Sequence, residues 1–201
     1  MNSKSIIGIG NALMDIVVKL SDETILEKNK LPKGSMTLVD SATSASLSRQ
    51  TEGMEKILAA GGSVANTIDG LAHLGAPTSF IGKVGNDELG RIYSEGLKNI
   101  GAKPQLFKSF SPTGVAMALV TPDSERTFGT YLGAAVEMSA RDLSPRLFEG
   151  YNIAYIEGYL AQNHDLIREA ALLAKNAGLK IALDLASYNV VEGNLDFLKE
   201  I

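Results

Sequence analysis

Cysteine is absent from the 201 residues, and so are long apolar runs and clusters of basic residues. Without thiols the chain can form neither disulfides nor thiolate metal sites, which fits a reducing, cytoplasmic setting. No stretch reaches the roughly 18 apolar residues of a membrane-spanning helix. The opening "MNSKSIIGIGN" has too short an apolar stretch for a secretory leader. A net charge of -4 without Lys or Arg runs favours neither nucleic acid nor an anionic membrane as partner.

What is present is an alternation of apolar strands and amphipathic helices, which predicts an α/β protein with a doubly wound, parallel sheet. The helix over 63–74 leads into a strand at 78–85 that another helix follows, and the alternation resumes from residue 151. Two regions, 11–52 and 103–133, are rich in strands instead. We expect both to be insertions that form a small β-sheet over one face of the body, the second as three consecutive antiparallel strands.

The segment "AAGGSVAN" places two glycines, Gly61 and Gly62, directly before a helix. Taken alone, the pair is typical of a tight turn with positive φ. Missing side chains also let a ligand approach the backbone N–H groups at a helix start. Asn66, one turn into the helix, offers a donor and an acceptor, which suits a hydroxyl. A phosphate-binding P-loop would need a Lys-Ser/Thr ending that this segment lacks.

Asp15 follows the first buried strand, near the edge where open α/β sheets hold their ligands. Its carboxylate is suited to accept two hydrogen bonds from vicinal hydroxyls of a sugar, although a solvated turn carboxylate would look the same in the sequence. The nearby "GIGNAL" is not a dinucleotide fingerprint, because Leu13 stands where the third glycine is required. In "KVGNDELG", Asn86 or Asp87 is expected to cap the next helix, which is a structural role.

Residues 61–91, "GGSVANTIDGLAHLGAPTSFIGKVGNDELGR", resemble the first signature of the PfkB, or ribokinase-like, carbohydrate kinase family. The resemblance extends over essentially the whole chain. It implies an α/β sandwich with a β-sheet lid that closes over the substrate and often mediates a homodimer. The implied activity transfers the γ-phosphoryl group of ATP to a sugar or nucleoside hydroxyl, with ATP and Mg²⁺ as cofactors. Whether a monovalent cation is also needed stays open.

Within that family "GNALMD", residues 10–15, is similar to the opening of adenosine kinases. By this resemblance Asp15 and Asn66 hold the ribose hydroxyls and Asn11 faces the base. The "GGSVAN" segment forms the second ribose contact through Gly61, Gly62 and Ser63. Leu13, Met36 and Phe128 are candidates for an apolar slot that would hold a purine. Arg126 is a candidate for a residue near the phosphate path, although a solvated strand arginine would look the same. Glu157 is a candidate for an acid that contacts the sugar.

The family's second signature, a glycine-rich turn ending Gly-Ala-Gly-Asp, is absent. Its Asp is the general base and its N–H groups form the anion hole, so the resemblance places the catalytic residues beyond Ile201. We therefore expect residues 1–201 to be the N-terminal part of a kinase domain, inactive alone. "NVVE" at 189–192 matches the letters of the family's magnesium motif but comes one βα unit too early. His73 and His164 are too isolated to suggest a metal site.

Four functions remain open on the sequence. The first is phosphorylation of a ribose 5′-hydroxyl, with adenosine converted to AMP. The second is phosphorylation of a free sugar such as fructose or ribose. The third is a non-catalytic sugar- or nucleoside-binding module, which would bind its ligand without any dependence on ATP. The last is a nicotinamide-dependent oxidoreductase, which the broken glycine fingerprint disfavours.

Overall fold

The computed structural model describes residues 4–201. Along this range ten strands and seven α-helices alternate, with short 3₁₀ segments between residues 133 and 162. In chain order they are β1 (Ile6–Ile9), β2 (Leu13–Lys19), α1 (Thr24–Lys28), β3 (Met36–Leu38), α2 (Ser41–Gln50), β4 (Lys56–Gly61), α3 (Ser63–His73), β5 (Thr78–Gly85), α4 (Glu88–Asn99), β6 (Lys103–Ser109), β7 (Gly114–Val120), β8 (Arg126–Tyr131), β9 (Ile153–Ile156), α5 (His164–Asn176), β10 (Lys180–Leu183), α6 (Tyr188–Gly193) and α7 (Leu195–Glu200).

The body is a five-stranded parallel sheet in the order β10-β9-β1-β5-β6, with helices on both faces. Successive side chains of a strand point to opposite faces. On β1, Ile7 and Ile9 accordingly pack into the apolar cluster that contains α5. Gly8 points the other way, where any Cβ would crowd Val64 and Ile68 of α3. The doubly wound α/β prediction is confirmed.

A second five-stranded sheet, in the order β3-β8-β7-β2-β4, forms the lid. On β2 the buried side chains Met14, Ile16 and Val18 alternate with more exposed ones. These three share a core with Leu26 and Leu47, from the helical segments α1 and α2, so helices cover this face of the lid. The alternate residues of β2 lie on the opposite face, which is turned towards the body.

The lid differs from the prediction in two strands, because β6 belongs to the body sheet and β4 belongs to the lid. β6 was expected in the lid insertion 103–133, but it pairs in parallel with β5 at the edge of the body sheet. β6 was grouped with the lid because the sequence shows no helical pattern between it and the two strands that follow. The three strands are therefore not consecutively antiparallel. β7 pairs antiparallel with β8 and parallel with β2, so the second insertion contributes only two lid strands.

The first insertion also extends past the predicted limit of residue 52. β4 pairs antiparallel with β2 and forms an edge of the lid. It runs directly into α3, so the glycine pair joins a lid strand to a body helix. Towards the end of the chain, α6 begins at Tyr188 and α7 follows it. The "NVVE" letters lie within α6.

Across residues 4–201 no helix is both long and apolar enough to cross a bilayer. Residues 1–3, part of the segment that argued against a secretory leader, lie outside the described range.

Candidate functional site

A cleft of about 1090 Å³ lies between the lid and the body. On the body side it is lined by residues that follow the carboxyl ends of β1 and β9 and by the first turn of α3. The lid supplies apolar and small side chains from four of its strands. The carboxyl edge of a parallel sheet is where α/β proteins bind ligands, so the cleft has the position expected of a substrate site.

The lid wall of the cleft is built by strand register. Asp15 on β2 is paired with Ala116 on β7, which is paired with Thr130 on β8, which is paired with Leu38 on β3. All four residues line the cleft. Directly paired residues of neighbouring strands point to the same face of a sheet. The wall is therefore a row with one carboxylate at one end and an apolar side chain at the other.

Gly61 makes room for the carboxylate of Asp15. A Cβ at position 61 would overlap the Asp15 carboxylate. The hydroxyl of Tyr93 donates a hydrogen bond to the Gly61 carbonyl over 3.0 Å and fixes this end of β4 against α4. Gly61 thus makes space for the Asp15 carboxylate without being one of the residues that line the cleft.

Gly62 is the turn from the lid into the body. Its φ of 105° lies in the region that favours glycine, and a Cβ there would overlap the carbonyl oxygen of Asn11. Gly62 precedes α3 as its N-terminal cap residue without a capping side chain. Both reasons for glycine, the positive φ and the close backbone approach, therefore apply at this residue.

The first turn of α3 presents polar groups to the cleft. Ser63 and Asn66 both line it. The Ser63 hydroxyl donates to the carboxylate of Asp184 over 2.8 Å, which ties α3 to the segment after β10. The side chain of Asn66 makes no hydrogen bond within residues 4–201, so its amide is free for a ligand.

Asp15 is the free carboxylate of the site. It accepts no hydrogen bond from any residue in the described range. Desolvation by burial raises the pKa of Asp15 above its ordinary value of 3.8. A half-buried carboxylate without a protein partner carries a desolvation cost that hydroxyl donors of a ligand can offset.

Glu157, by contrast, is buried with protein partners. It is 2% exposed, and its two oxygens accept hydrogen bonds from the Asn11 side-chain amide at 2.8 Å and from the Val64 N–H at 3.2 Å. Burial raises the pKa of Glu157, and the bonds from Asn11 and Val64 oppose that effect. Glu157 is also one of the residues that line the cleft.

Most of the residues predicted from the sequence meet at this cleft. The predicted residues that line it are Asn11, Leu13, Asp15, Met36, Gly62, Ser63, Asn66, Phe128 and Glu157. Gly61 lies behind Asp15, as described. Arg126 is the exception, since it is an exposed residue at the start of β8 and is not part of the lining. The alternative interpretation of Arg126 as a solvated strand arginine fits this position.

Asp184 and a polar stretch at the start of α5 were not predicted from the sequence. Asp184 follows β10 directly, so the strand-end argument that selected Asp15 and Glu157 would also have selected it. His164 and Arg168 line the outer part of the cleft. The ring of His164 stacks on Phe197 at 3.8 Å, and no motif in the sequence signals that contact.

Magnesium is the metal that the sequence resemblance implies. Within residues 4–201, no three His, Asp or Glu side chains converge as metal ligands would. Because Mg²⁺ is commonly held by one or two carboxylates together with the phosphates of a substrate, this finding assigns none of the described residues to the ion.

The sequence and the structure of this chain are similar to those of several kinases. The structure superimposes on adenosine kinase from Sinorhizobium meliloti with a TM-score of 0.82 and 34% identity, over 98% of this chain and 61% of that one. A probable sugar kinase from Rhizobium etli gives a TM-score of 0.83 and 30% identity, over 99% and 61%. A probable chloroplastic fructokinase-6 from Arabidopsis thaliana is 30% identical over 63% of this chain and 35% of its own length.

The chain thus spans about three fifths of these solved relatives and about a third of the curated one. The sequence profile described as pfkB family carbohydrate kinase matches residues 38–192. The match includes the glycine pair, α3 and β7 to β10, and it confirms the resemblance seen in the sequence. The chain that carries this lid, cleft and glycine turn belongs to the pfkB family of carbohydrate kinases.

Proposed function

We propose that this protein binds a ribonucleoside for phosphorylation by ATP, with adenosine as the acceptor and AMP as the product. The observation that carries the proposal is the unpartnered carboxylate of Asp15, held in a cleft between an apolar lid wall and the polar first turn of α3. Family membership supports the phosphotransfer, and the likeness to an adenosine kinase at 34% identity supports the nucleoside.

In this proposal Asp15 and Asn66 bind the ribose. The two oxygens of Asp15 accept hydrogen bonds from the vicinal hydroxyls, and the free amide of Asn66 donates to one of them and accepts from the other. Gly62 and Ser63 allow the sugar to approach the backbone. These contacts orient the remaining hydroxyl, and orientation is a large part of catalysis in phosphoryl transfer.

The base occupies the apolar end of the lid wall in this arrangement. Met36 and Phe128, directly paired across β3 and β8, supply the apolar surface at that end, and Leu13 adds apolar surface on β2 beside Asp15. A flat aromatic base matches such a surface better than a free sugar, whose hydroxyls would lose water there without gaining partners.

The chemical step transfers the γ-phosphoryl group to the oriented hydroxyl. A bond forms between the hydroxyl oxygen and the γ-phosphorus, the bond to ADP breaks, and the hydroxyl proton passes to a base. We assign no residue of the described range as that base, and the Gly-Ala-Gly-Asp segment is not in the sequence. We therefore expect the 201 residues to bind the acceptor without turning it over. ATP and Mg²⁺ remain the proposed cofactors, and the cytoplasm the proposed location.

A sugar kinase is the second candidate, because the Arabidopsis relative is named a fructokinase and the Rhizobium etli structure a sugar kinase. A binding module without catalysis is the third. Calorimetric titration of the protein with adenosine, ribose and fructose separates the first two candidates. The nucleoside proposal predicts that adenosine binds most tightly, and that Phe128→Ala weakens adenosine while leaving ribose unchanged. Tighter binding of fructose than of adenosine would contradict it.

We also propose that the lid joins two copies of this chain. Three large apolar side chains are exposed on its cleft-side face, namely Met36 at 53%, Leu38 at 55% and Ile57 at 60%. Ile57 is paired with Val17, two residues along β2 from Asp15, which places it on the same face. An exposed apolar face on a sheet with free edges is typical of an association surface.

A further inference from the structure

The contact between Glu157 and Asn11 has a consequence for what the site can recognise. Glu157 lies after β9 and Asn11 after β1, two neighbouring strands of the body sheet. Oε1 of Glu157 accepts a hydrogen bond of 2.8 Å from Nδ2 of Asn11, and both residues are buried. Only the NH₂ group of an asparagine side chain can donate to a carboxylate, so this bond fixes which way the Asn11 amide points.

The other oxygen of Glu157 is held as well. Oε2 accepts from the Val64 N–H in the first turn of α3. It also lies so close to Gly10 that a Cβ at that residue would overlap it. Both carboxylate oxygens are therefore directed at the protein, and Glu157 is not placed as a free acceptor for a sugar hydroxyl.

With its NH₂ group turned to Glu157, Asn11 has its carbonyl oxygen Oδ1 left. Oδ1 accepts no hydrogen bond from residues 4–201, although Asn11 lines the cleft. The backbone carbonyl of Asn11 is at the same time packed against Gly62, so the residue is held from two sides. The cleft thus presents an oriented acceptor at this point.

We infer that Glu157 is a positioning residue that fixes Asn11 as a hydrogen-bond acceptor for a donor group of the substrate and aligns the first turn of α3 with it. The inference rests on the proposed function and refines it, because it changes Glu157 from a sugar contact to a support for Asn11. It makes a hydrogen-bond donor of the ligand the group that Asn11 recognises, either an N–H of the base, which Asn11 was expected to face, or a ribose hydroxyl.

The test is a reversal of the hydrogen bond. Asn11→Asp places two carboxylates together, and Glu157→Gln turns an NH₂ group towards either Asn11 or the Val64 N–H. In the double variant the new amide at position 157 can donate to the new carboxylate at position 11 and still accept from Val64, while that carboxylate keeps an oxygen facing the cleft. We expect each single variant to bind adenosine about tenfold more weakly, and the double variant to recover to within about threefold of the unmutated protein.

Two outcomes would overturn the inference while leaving the nucleoside proposal intact. One is additive loss in the double variant, and the other is normal adenosine binding in both single variants. The melting temperatures of the four proteins without ligand provide a second cycle, and we expect the same recovery there. If the unmutated protein binds none of adenosine, ribose and fructose, the proposed function fails. If the double variant recovers its melting temperature but not its adenosine affinity, the contact is structural and the acceptor role of Asn11 is wrong.

Discussion

At the scale of single residues, the site depends on two glycines, which have no side chain. Gly61 leaves the space that the Asp15 carboxylate occupies, and Gly62 lets α3 begin against the carbonyl of Asn11. The carboxylate in turn has no protein partner in the described range, so burial acts on it without compensation and raises the pKa of Asp15. A group held this way favours ligand binding at the expense of stability.

The first prediction concerns Gly61→Ala. The added methyl group overlaps the Asp15 carboxylate, so we expect the side chain to be displaced, adenosine affinity to fall more than about tenfold and the free energy of unfolding to fall by about 1–3 kcal/mol. Gly70→Ala is the matched control, because a Cβ at that position in α3 meets no atom within 4 Å. The control should gain about 0.5–1 kcal/mol. Urea unfolding and calorimetry measure both effects, and normal binding by Gly61→Ala would contradict the assigned contact.

The second prediction concerns the ionisation of Asp15. Because its pKa is higher in the folded protein than in the unfolded chain, the folded state binds more protons, and stability from this group falls as pH rises from 3.8 through the raised pKa. We expect Asp15→Asn to melt at a higher temperature than the unmutated protein at about pH 7, with the difference shrinking towards about pH 4. Glu52→Gln, at an exposed position, controls for the lost charge. A lower melting temperature for Asp15→Asn at neutral pH would count against the unpartnered carboxylate.

At the scale of elements, one helix cap links body and lid. Asp87 accepts from the Gly90 N–H at 2.9 Å as the cap of α4, and it also accepts from the backbone and hydroxyl of Thr113, which leads into β7. Burial acts to raise the pKa of Asp87, but the bonds from Thr113 and Gly90 prevail and lower it. Its stabilisation is therefore present above its ordinary pKa of 3.8 and is lost as pH falls through the lowered value.

The third prediction follows from that double role. Asp87→Ala should lower the free energy of unfolding by about 2–4 kcal/mol at neutral pH, because it removes a cap and leaves the N–H and the hydroxyl proton of Thr113 without their acceptor. Asp40→Ala, which removes only the cap bond to the Thr43 N–H at the start of α2, should cost about 1 kcal/mol. Urea unfolding at neutral pH compares the two, and equal losses would show that the Thr113 contacts add nothing.

Elements also show how far the sequence could predict this molecule. Asp15 was expected near the end of the first body strand, and it lies within β2 of the lid instead. Turns and helix starts follow local rules, so the glycine pair and Asn66 could be located without a structure. The side of the molecule to which β6 belongs could not, because strand pairing is a long-range property and an edge strand lacks a distinctive pattern. The role of Glu157 depends on a contact 146 residues away in the chain, which the sequence of either segment does not reveal.

At the scale of the whole molecule, the two sheets enclose a cleft, and the lid carries the exposed apolar face that we propose binds a second copy. The fourth prediction is that the protein dimerises through that face. Ile57→Lys should shift sedimentation equilibrium to the monomer, because it places a charge in the apolar contact. Leu58→Lys, on the opposite face of the same strand, should leave the association unchanged. A monomeric unmutated protein, or equal effects of the two variants, would contradict this assembly.

The central claim is that the Asp15 carboxylate binds the hydroxyls of a nucleoside, and calorimetric titration of adenosine into the unmutated protein and Asp15→Asn tests it most directly. Because hydrogen bonds to a charged acceptor contribute about 1.5–3 kcal/mol each, we predict that the variant loses at least about 2 kcal/mol, or about 30-fold in affinity. Equal affinity of the two proteins for adenosine would contradict the account.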